Sequence, residues 1–168
     1  MAHKKFCALA GKPGALAYEP GAIQGCTCLI PLQTKSKYDD QLKKILERFN
    51  PAHYPAIDCG AGWDKIIVDL DQNLNYLCPD YTINQIKEKF GSLRIYWSLP
   101  TEGTWSDTTS EHDREIVHNI MRSLVRYAEF LSGTTCEICG EPGTNLVKNY
   151  WVKTLCNTCA ENKGYEHD

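Results

Sequence analysis

Four cysteines constrain this chain more than any other feature. They fall as Cys136-x2-Cys139, then sixteen residues, then Cys156-x2-Cys159. Two CxxC pairs at that separation have the spacing of a structural zinc site. Each pair closes a tight turn, and four thiolates complete a tetrahedral shell for zinc, with iron as the alternative metal. A strand pair between the turns would make a zinc ribbon. YWVKTL, residues 150–155, supplies one strand, and Gly140 and Gly143 suit the turns. So short a segment cannot bury much of a core, so its folding free energy must come largely from the metal. A filled four-cysteine shell has no open position for water, which makes its role structural rather than catalytic. Redox chemistry at either CxxC is the lesser reading.

The chain holds nine cysteines in all. Cys7, Cys26, Cys28 and Cys59, with His53, could form a second metal site, but their spacing is irregular, and buried or free thiols are the plainer reading. The opening MAHKKFCALAGKPG has no apolar run resembling a signal peptide. No stretch approaches the ~18 apolar residues of a membrane span. The expectation is therefore a soluble protein of the cytoplasm with no membrane partner. A formal charge of −3 argues against broad, non-specific DNA binding.

Residues 1–36 are rich in Gly and Pro and read as loop. YDDQLKKILERF, 38–49, reads as a helix with Leu42, Ile45, Leu46 and Phe49 on one face. GWDKIIVDLDQNLNYL, 62–77, is the clearest helix: Trp63, Ile66, Ile67, Leu70, Leu74 and Leu77 mark its core face and Cys78-Pro79 its end. A longer helix spans roughly residues 110–131. Ser110 and Asp113 form its capping box, and Ile116, Val117, Ile120, Leu124, Ala128 and Leu131 its buried stripe. Arg114, His118, Arg122 and Arg126 recur along another side as a solvated basic face. The fold class is α+β: a β-hairpin or small antiparallel sheet packed by two to three helices over residues 37–132, and a zinc ribbon over 133–168.

TINQIKEKF and LRIYWSL flank Gly91-Ser92, a Gly-X pair that predicts a type II′ hairpin turn. In that register Phe90 opposes Leu93, Lys89 opposes Arg94 and Lys87 opposes Tyr96. Alternation puts Ile86, Phe90, Leu93, Ile95 and Trp97 on one face with Glu88. The other face carries Lys87, Lys89, Arg94 and Tyr96, the candidate ligand-binding residues. Like charges at Lys89 and Arg94, opposite each other in this register, disfavour folding slightly. A bound anion would relieve that, and a tyrosine beside it can stack a base. A plain solvent face is the competing reading.

No HExxH, Walker A or GxSxG motif occurs. Neither CxxC follows a proline as a zinc deaminase requires, and no histidine lies between the cysteine pairs as in a zinc-stapled HNH-type nuclease. Binding is thus a better reading than catalysis.

Cys59-Gly60-x-Gly62-Trp63, QIKEKFGSLRIY over 85–96, Ala128-Glu129-x-x-Ser132, and Cys136-Glu137-x-Cys139-Gly140-x-Pro142-Gly143 together resemble a recurring set of small bacteriophage proteins of no settled activity. The resemblance spans roughly residues 55–160. It departs from that pattern at Gly91-Ser92, where the pattern has Gly-Gly, and at Cys156-x2-Cys159, where the pattern often has Cys-x2-His. The resemblance implies a phage accessory protein acting in the host cytoplasm. Such proteins often counter host defence, sometimes by sequestering nucleotide signals. A captured anionic small molecule, a nucleotide above all, is the leading expectation. A nucleic-acid-binding regulator and a module that inhibits a host protein are the alternatives.

Overall fold

A computed structural model describes residues 36–101 and 110–166, all within one compact unit. Cys7, Cys26 and Cys28 lie outside the described residues. The architecture is α+β, as the periodicities predict. Helix α1 (Asp39–Leu46) leads to a short strand β1 (Ile57–Asp58) and a 3-10 turn (Ala61–Trp63) that runs into α2 (Asp64–Leu77). The hairpin β2 (Thr82–Lys89) and β3 (Ser92–Ser98) follows, then α3 (Glu111–Ser132). A second hairpin, β4 (Thr144–Lys148) and β5 (Trp151–Leu155), precedes the short α4 (Asn157–Lys163). Among the described residues no helix is long and apolar enough to cross a membrane.

The main sheet has strand order β1-β2-β3, with β1 parallel to β2 and β2 antiparallel to β3. Ile45, Trp63, Ile67, Leu74, Ile86, Leu93 and Met121 form its core, each almost fully buried. Ile83 and Ile86 are three apart, yet both face inward. A β-bulge between Ile83 and Gln85 inserts Asn84 and shifts the phase. Asp64, at the start of α2, is buried, and Ser36 Oγ donates to its carboxylate at 2.6 Å.

The hairpin turn differs from the predicted one. Lys89 pairs with Ser92, Glu88 with Leu93, Lys87 with Arg94 and Gln85 with Tyr96. The turn residues are Phe90 and Gly91, both at positive φ (54° and 73°), as a type I′ turn requires. The two faces keep their expected members with one exception: Phe90 is 68% exposed and leaves the core face. A non-glycine residue at positive φ is strained, and the compensation is tertiary. Glu88 Oε1 accepts from the Gly91 amide at 2.7 Å, and the buried Thr154 hydroxyl donates to the Gly91 carbonyl. A Cβ on Gly91 would meet Asn145 Oδ1 at 2.8 Å, so glycine is required there on two counts.

Helix α3 is also rotated from its predicted phase. Its buried residues are Met121, Val125, Ala128 and Ser132, while Ile116 and Ile120 are each 44% exposed. The capping box is present as expected, Asp113 N donating to Ser110 Oγ at 3.1 Å. At its other end the Leu93 amide donates to Ser132 Oγ at 2.8 Å and the Ile95 amide to Glu129 Oε1 at 3.3 Å. These bonds satisfy the open edge of β3 and set the rotation of the helix. His118, expected to be solvated, packs its ring 5.3 Å from that of Trp97.

The turn assignment has a direct test. Asn tolerates positive φ better than Phe, so Phe90→Asn should leave stability unchanged or raise it by about 0.5–1 kcal/mol in urea denaturation. With Phe90 in the core, as the II′ register would have it, the same change would cost about 3 kcal/mol or more.

Candidate metal centre and cationic sheet face

The two CxxC turns are brought together by the β4–β5 hairpin. Cys136 and Cys139 precede β4, Cys156 is the N-cap of α4, and Cys159 lies in its first turn. The four Sγ atoms all lie within 4.8 Å of one another, and Cys139 and Cys156 approach to 3.6 Å. Tetrahedral thiolates bound at about 2.3 Å need S–S separations of about 3.8 Å. The four cysteines are therefore positioned to hold one metal ion, and among the described residues they are the group so placed. Amide donors support the sulfurs, with Cys159 N donating to Cys156 Sγ at 3.5 Å. Burial opposes ionisation of Cys136, but the amides of Cys156, Cys139 and Ile138 outweigh it and bring its thiol down to about 7.

Backbone contact joins this module to the core. The Gly62 amide donates to the Glu137 carbonyl at 2.9 Å, and the Glu137 amide donates to the Thr154 carbonyl at 2.9 Å. A Cβ on Gly60 would overlap the Glu137 carbonyl, and one on Gly62 would overlap the Cys136 carbonyl and reach 2.6 Å from the Gly140 nitrogen. Trp63 Nε1 donates to the Thr135 carbonyl at 2.7 Å. The Cys-Gly-x-Gly-Trp run is thus the seat on which the first CxxC turn rests.

Lys153 closes the junction. Its ammonium lies 2.8 Å from Glu137 Oε1 and 3.2 Å from Glu88 Oε2, linking β5, the CxxC turn and β2. Apart from the inward phase of Glu88, sequence patterning gave no sign of this triad, because Glu88 lies 49 residues from Glu137 and 65 from Lys153 and the three share no periodicity. Cys59 packs beside the triad. Burial first, then Asp64, Glu137 and Asp58, pushes its thiol up to about 12, so it stands as a protonated, packed side chain.

The candidate ligand residues occupy the outer face of the main sheet. Lys87 and Arg94 are direct cross-strand partners, and Asp58 pairs with Lys87 from the β1 side. Lys87 Nζ stands 5.4 Å from the Tyr96 ring centroid, and Arg94 Nη1 donates to the Leu93 carbonyl at 2.8 Å. Lys89 sits apart at the turn, over the Phe90 ring at 5.3 Å. Among the described residues, the ion pairs within 4.0 Å involve none of these three cations. Tyr96 lines a concavity of about 470 Å³ with His53, Tyr54, Asp58, Asn84 and Gln85. On the other side, Arg94 shares a shallow hollow with Arg126 and Glu129. Lys87 and Arg94 therefore come together, Tyr96 bridges them to the concavity, and Lys89 does not join. His53, Tyr54 and Asp58 were not marked by the sequence as part of a ligand face. They arrive through the parallel pairing of a two-residue strand too short to leave a pattern.

No protein-family model, curated protein or solved structure matches the chain.

Two experiments probe this centre. Elemental analysis of purified protein should find one metal ion per chain, lost in Cys139→Ser; Gly62→Ala should lower metal retention while leaving all four thiols in place. Metal content unchanged in Gly62→Ala would separate the centre from its glycine seat. Lys153→Met should destabilise the fold by about 2 kcal/mol or more, since it strands two partly buried carboxylates, and adding Glu137→Gln should recover part of that loss in thermal melts.

Proposed function

We propose that this chain is a zinc-stapled, non-enzymatic binding protein that captures an anionic ligand on the outer face of its main sheet, with a nucleotide as the first class. One observation carries the reading: Lys87 and Arg94 are cross-strand neighbours, neither in an ion pair within 4.0 Å among the described residues, beside Tyr96 at the rim of a concavity of about 470 Å³. Such a pair can hold a phosphate, Arg as a fork and Lys as a point charge. Tyr96 and the 73% exposed Tyr54 offer stacking faces for a base. Zinc is the metal that four thiolates in a closed tetrahedral shell fit best, and its role here is to hold the fold. The resemblance to phage accessory proteins makes a nucleotide signal of host defence the first ligand to try, with counter-defence as the biological role.

A second reading, nucleic-acid binding through the metal module, has one observation on its side. At the β4–β5 tip Tyr150 is 100% and Trp151 70% exposed, and exposed aromatic rings of this kind are what bases stack on. That mode would weaken steeply with salt.

Calorimetry with cyclic and linear nucleotides should detect micromolar binding or tighter, and mass spectrometry of heat-denatured protein should find a nucleotide released. Lys87→Ala and Arg94→Ala should each weaken binding about tenfold or more, as expected for loss of a charge-assisted contact, with melting temperature unchanged. Absence of both retained and added nucleotide would sink the reading.

A further inference from the structure

The cationic row on the outer sheet face does not stop at Arg94. Ser92, Arg94 and Tyr96 share that face of β3, because side chains alternate along a strand. Tyr96 lines the concavity of about 470 Å³. Ser92 and Arg94 line the shallow hollow on the α3 side, of about 460 Å³. Arg94 therefore stands between two recesses, about 7 Å along the strand from Tyr96 one way and from Ser92 the other. Each recess has the volume of a small-molecule site.

The two recesses offer the same kinds of side chain. At the concavity Tyr96 is 45% exposed and Asp58 supplies a carboxylate. At the hollow Phe130 is 68% exposed and Glu129 supplies the carboxylate. Lys87 and Arg94 lie between them, and Arg126 adds a second guanidinium at the hollow. Among the described residues none of these three cations is in an ion pair within 4.0 Å. Folding does not account for Arg126 or Phe130, since the buried side of α3 is Met121, Val125, Ala128 and Ser132. Asn145 also lines the hollow. Its Oδ1 accepts from the Thr154 hydroxyl, which leaves its NH2 group to donate. Glu129 Oε1 is likewise taken by the Ile95 amide at 3.3 Å, which leaves Oε2 to accept.

This order of groups suits a ligand that is anionic in its middle and aromatic at both ends. Guanidinium and ammonium groups hold phosphate. An exposed ring stacks a base. A carboxylate accepts from ribose hydroxyls. Acids at the two ends would repel further phosphates, but a nucleoside is neutral there. A mononucleotide would fill one recess and leave Arg126, Phe130 and Glu129 without a use.

We propose that the captured ligand is a dinucleotide, two nucleosides joined through one or two phosphates. The phosphates lie at Lys87, Arg94 and Arg126, one base stacks on Tyr96 in the concavity, and the other stacks on Phe130 in the hollow. This rests on the capture reading above and narrows it to a ligand class.

Calorimetry on the full-length, metal-loaded chain tests it with ligands matched in phosphate number. Adenylate is compared with the linear dinucleoside monophosphate, and adenosine diphosphate with diadenosine diphosphate and cyclic diadenylate, with the guanine series alongside. A dinucleotide of at least one linkage should bind about tenfold tighter or more than its matched mononucleotide, the gain expected from one further stacked base. Phe130→Ala should abolish that preference, and Phe130→Trp should keep it. Arg126→Ala should weaken the dinucleotide about tenfold, as loss of a charge-assisted contact does. Dinucleotides that bind no tighter than mononucleotides overturn the inference and leave capture standing. So does a preference that survives both Phe130→Ala and Arg126→Ala, because the second base would then sit elsewhere. If neither kind of nucleotide binds, the capture reading falls and this inference falls with it.

Discussion

The structure depends on two stretches of backbone lying against each other without side chains between them. Gly60 and Gly62 touch the Cys136–Gly140 turn so closely that any Cβ would overlap a peptide group. Peptide amides and carbonyls at such a contact must pair, and they do, through the Gly62–Glu137 and Glu137–Thr154 bonds. Cys136 sits at this contact and is also a metal ligand candidate, so metal geometry and core geometry share one turn. The metal module then reaches the hairpin through Thr154 on Gly91 and Lys153 on Glu88. A metal bound by the four thiolates therefore braces the sheet as well as its own ribbon. The Glu88–Lys153–Glu137 triad adds less to stability than its distances suggest, because partly buried ions lose hydration on folding. Its larger effect is to fix how the module sits on the sheet.

This junction divides the hairpin motif into residues with different work. Glu88, Gly91 and Leu93 point to the metal module or to α3 and are explained by folding. Lys87, Arg94 and Tyr96 point the other way and are not. A motif that looked like one cationic-aromatic unit is two, and the part free for a ligand is a row across the sheet rather than the hairpin turn. Lys89 falls outside that row.

Patterns with a local cause were legible in the chain. The cysteine spacing implied the tetrahedral cluster, Ser110 and Asp113 implied a helix start, and alternation sorted the hairpin faces correctly except for Phe90. What could not be read was decided by distant contacts. Gly91 serves a II′ turn with Ser92 or an I′ turn with Phe90. The bonds from Glu88 and Thr154 select the second against the local preference of Phe. Apolar residues cover most of the circumference of α3, so periodicity left its phase open, and Ser132 and Glu129 on the β3 edge set it. The Cys-Gly-x-Gly-Trp run announced a close approach through its glycines, but nothing local named the approaching partner as the first CxxC turn.

Charge bears on what size of anion the outer face suits. Affinity for a polyanion grows with the number of phosphates neutralised at once. Here the usable row is short: Lys87 and Arg94, continued toward Arg126, on a chain of net charge −3. Both ends of the row meet acids, Asp58 beside Lys87 and Glu129 beside Arg94. At physiological salt the remaining surface charges are screened beyond about 8 Å, but these two are close enough to repel a backbone that runs on past the row. A compact anion with one or a few phosphates ends before it meets them, and its organic part can extend past Tyr96 into the concavity. That asymmetry favours a nucleotide over a long nucleic acid on this face, independently of any role for the exposed aromatics at the β4–β5 tip.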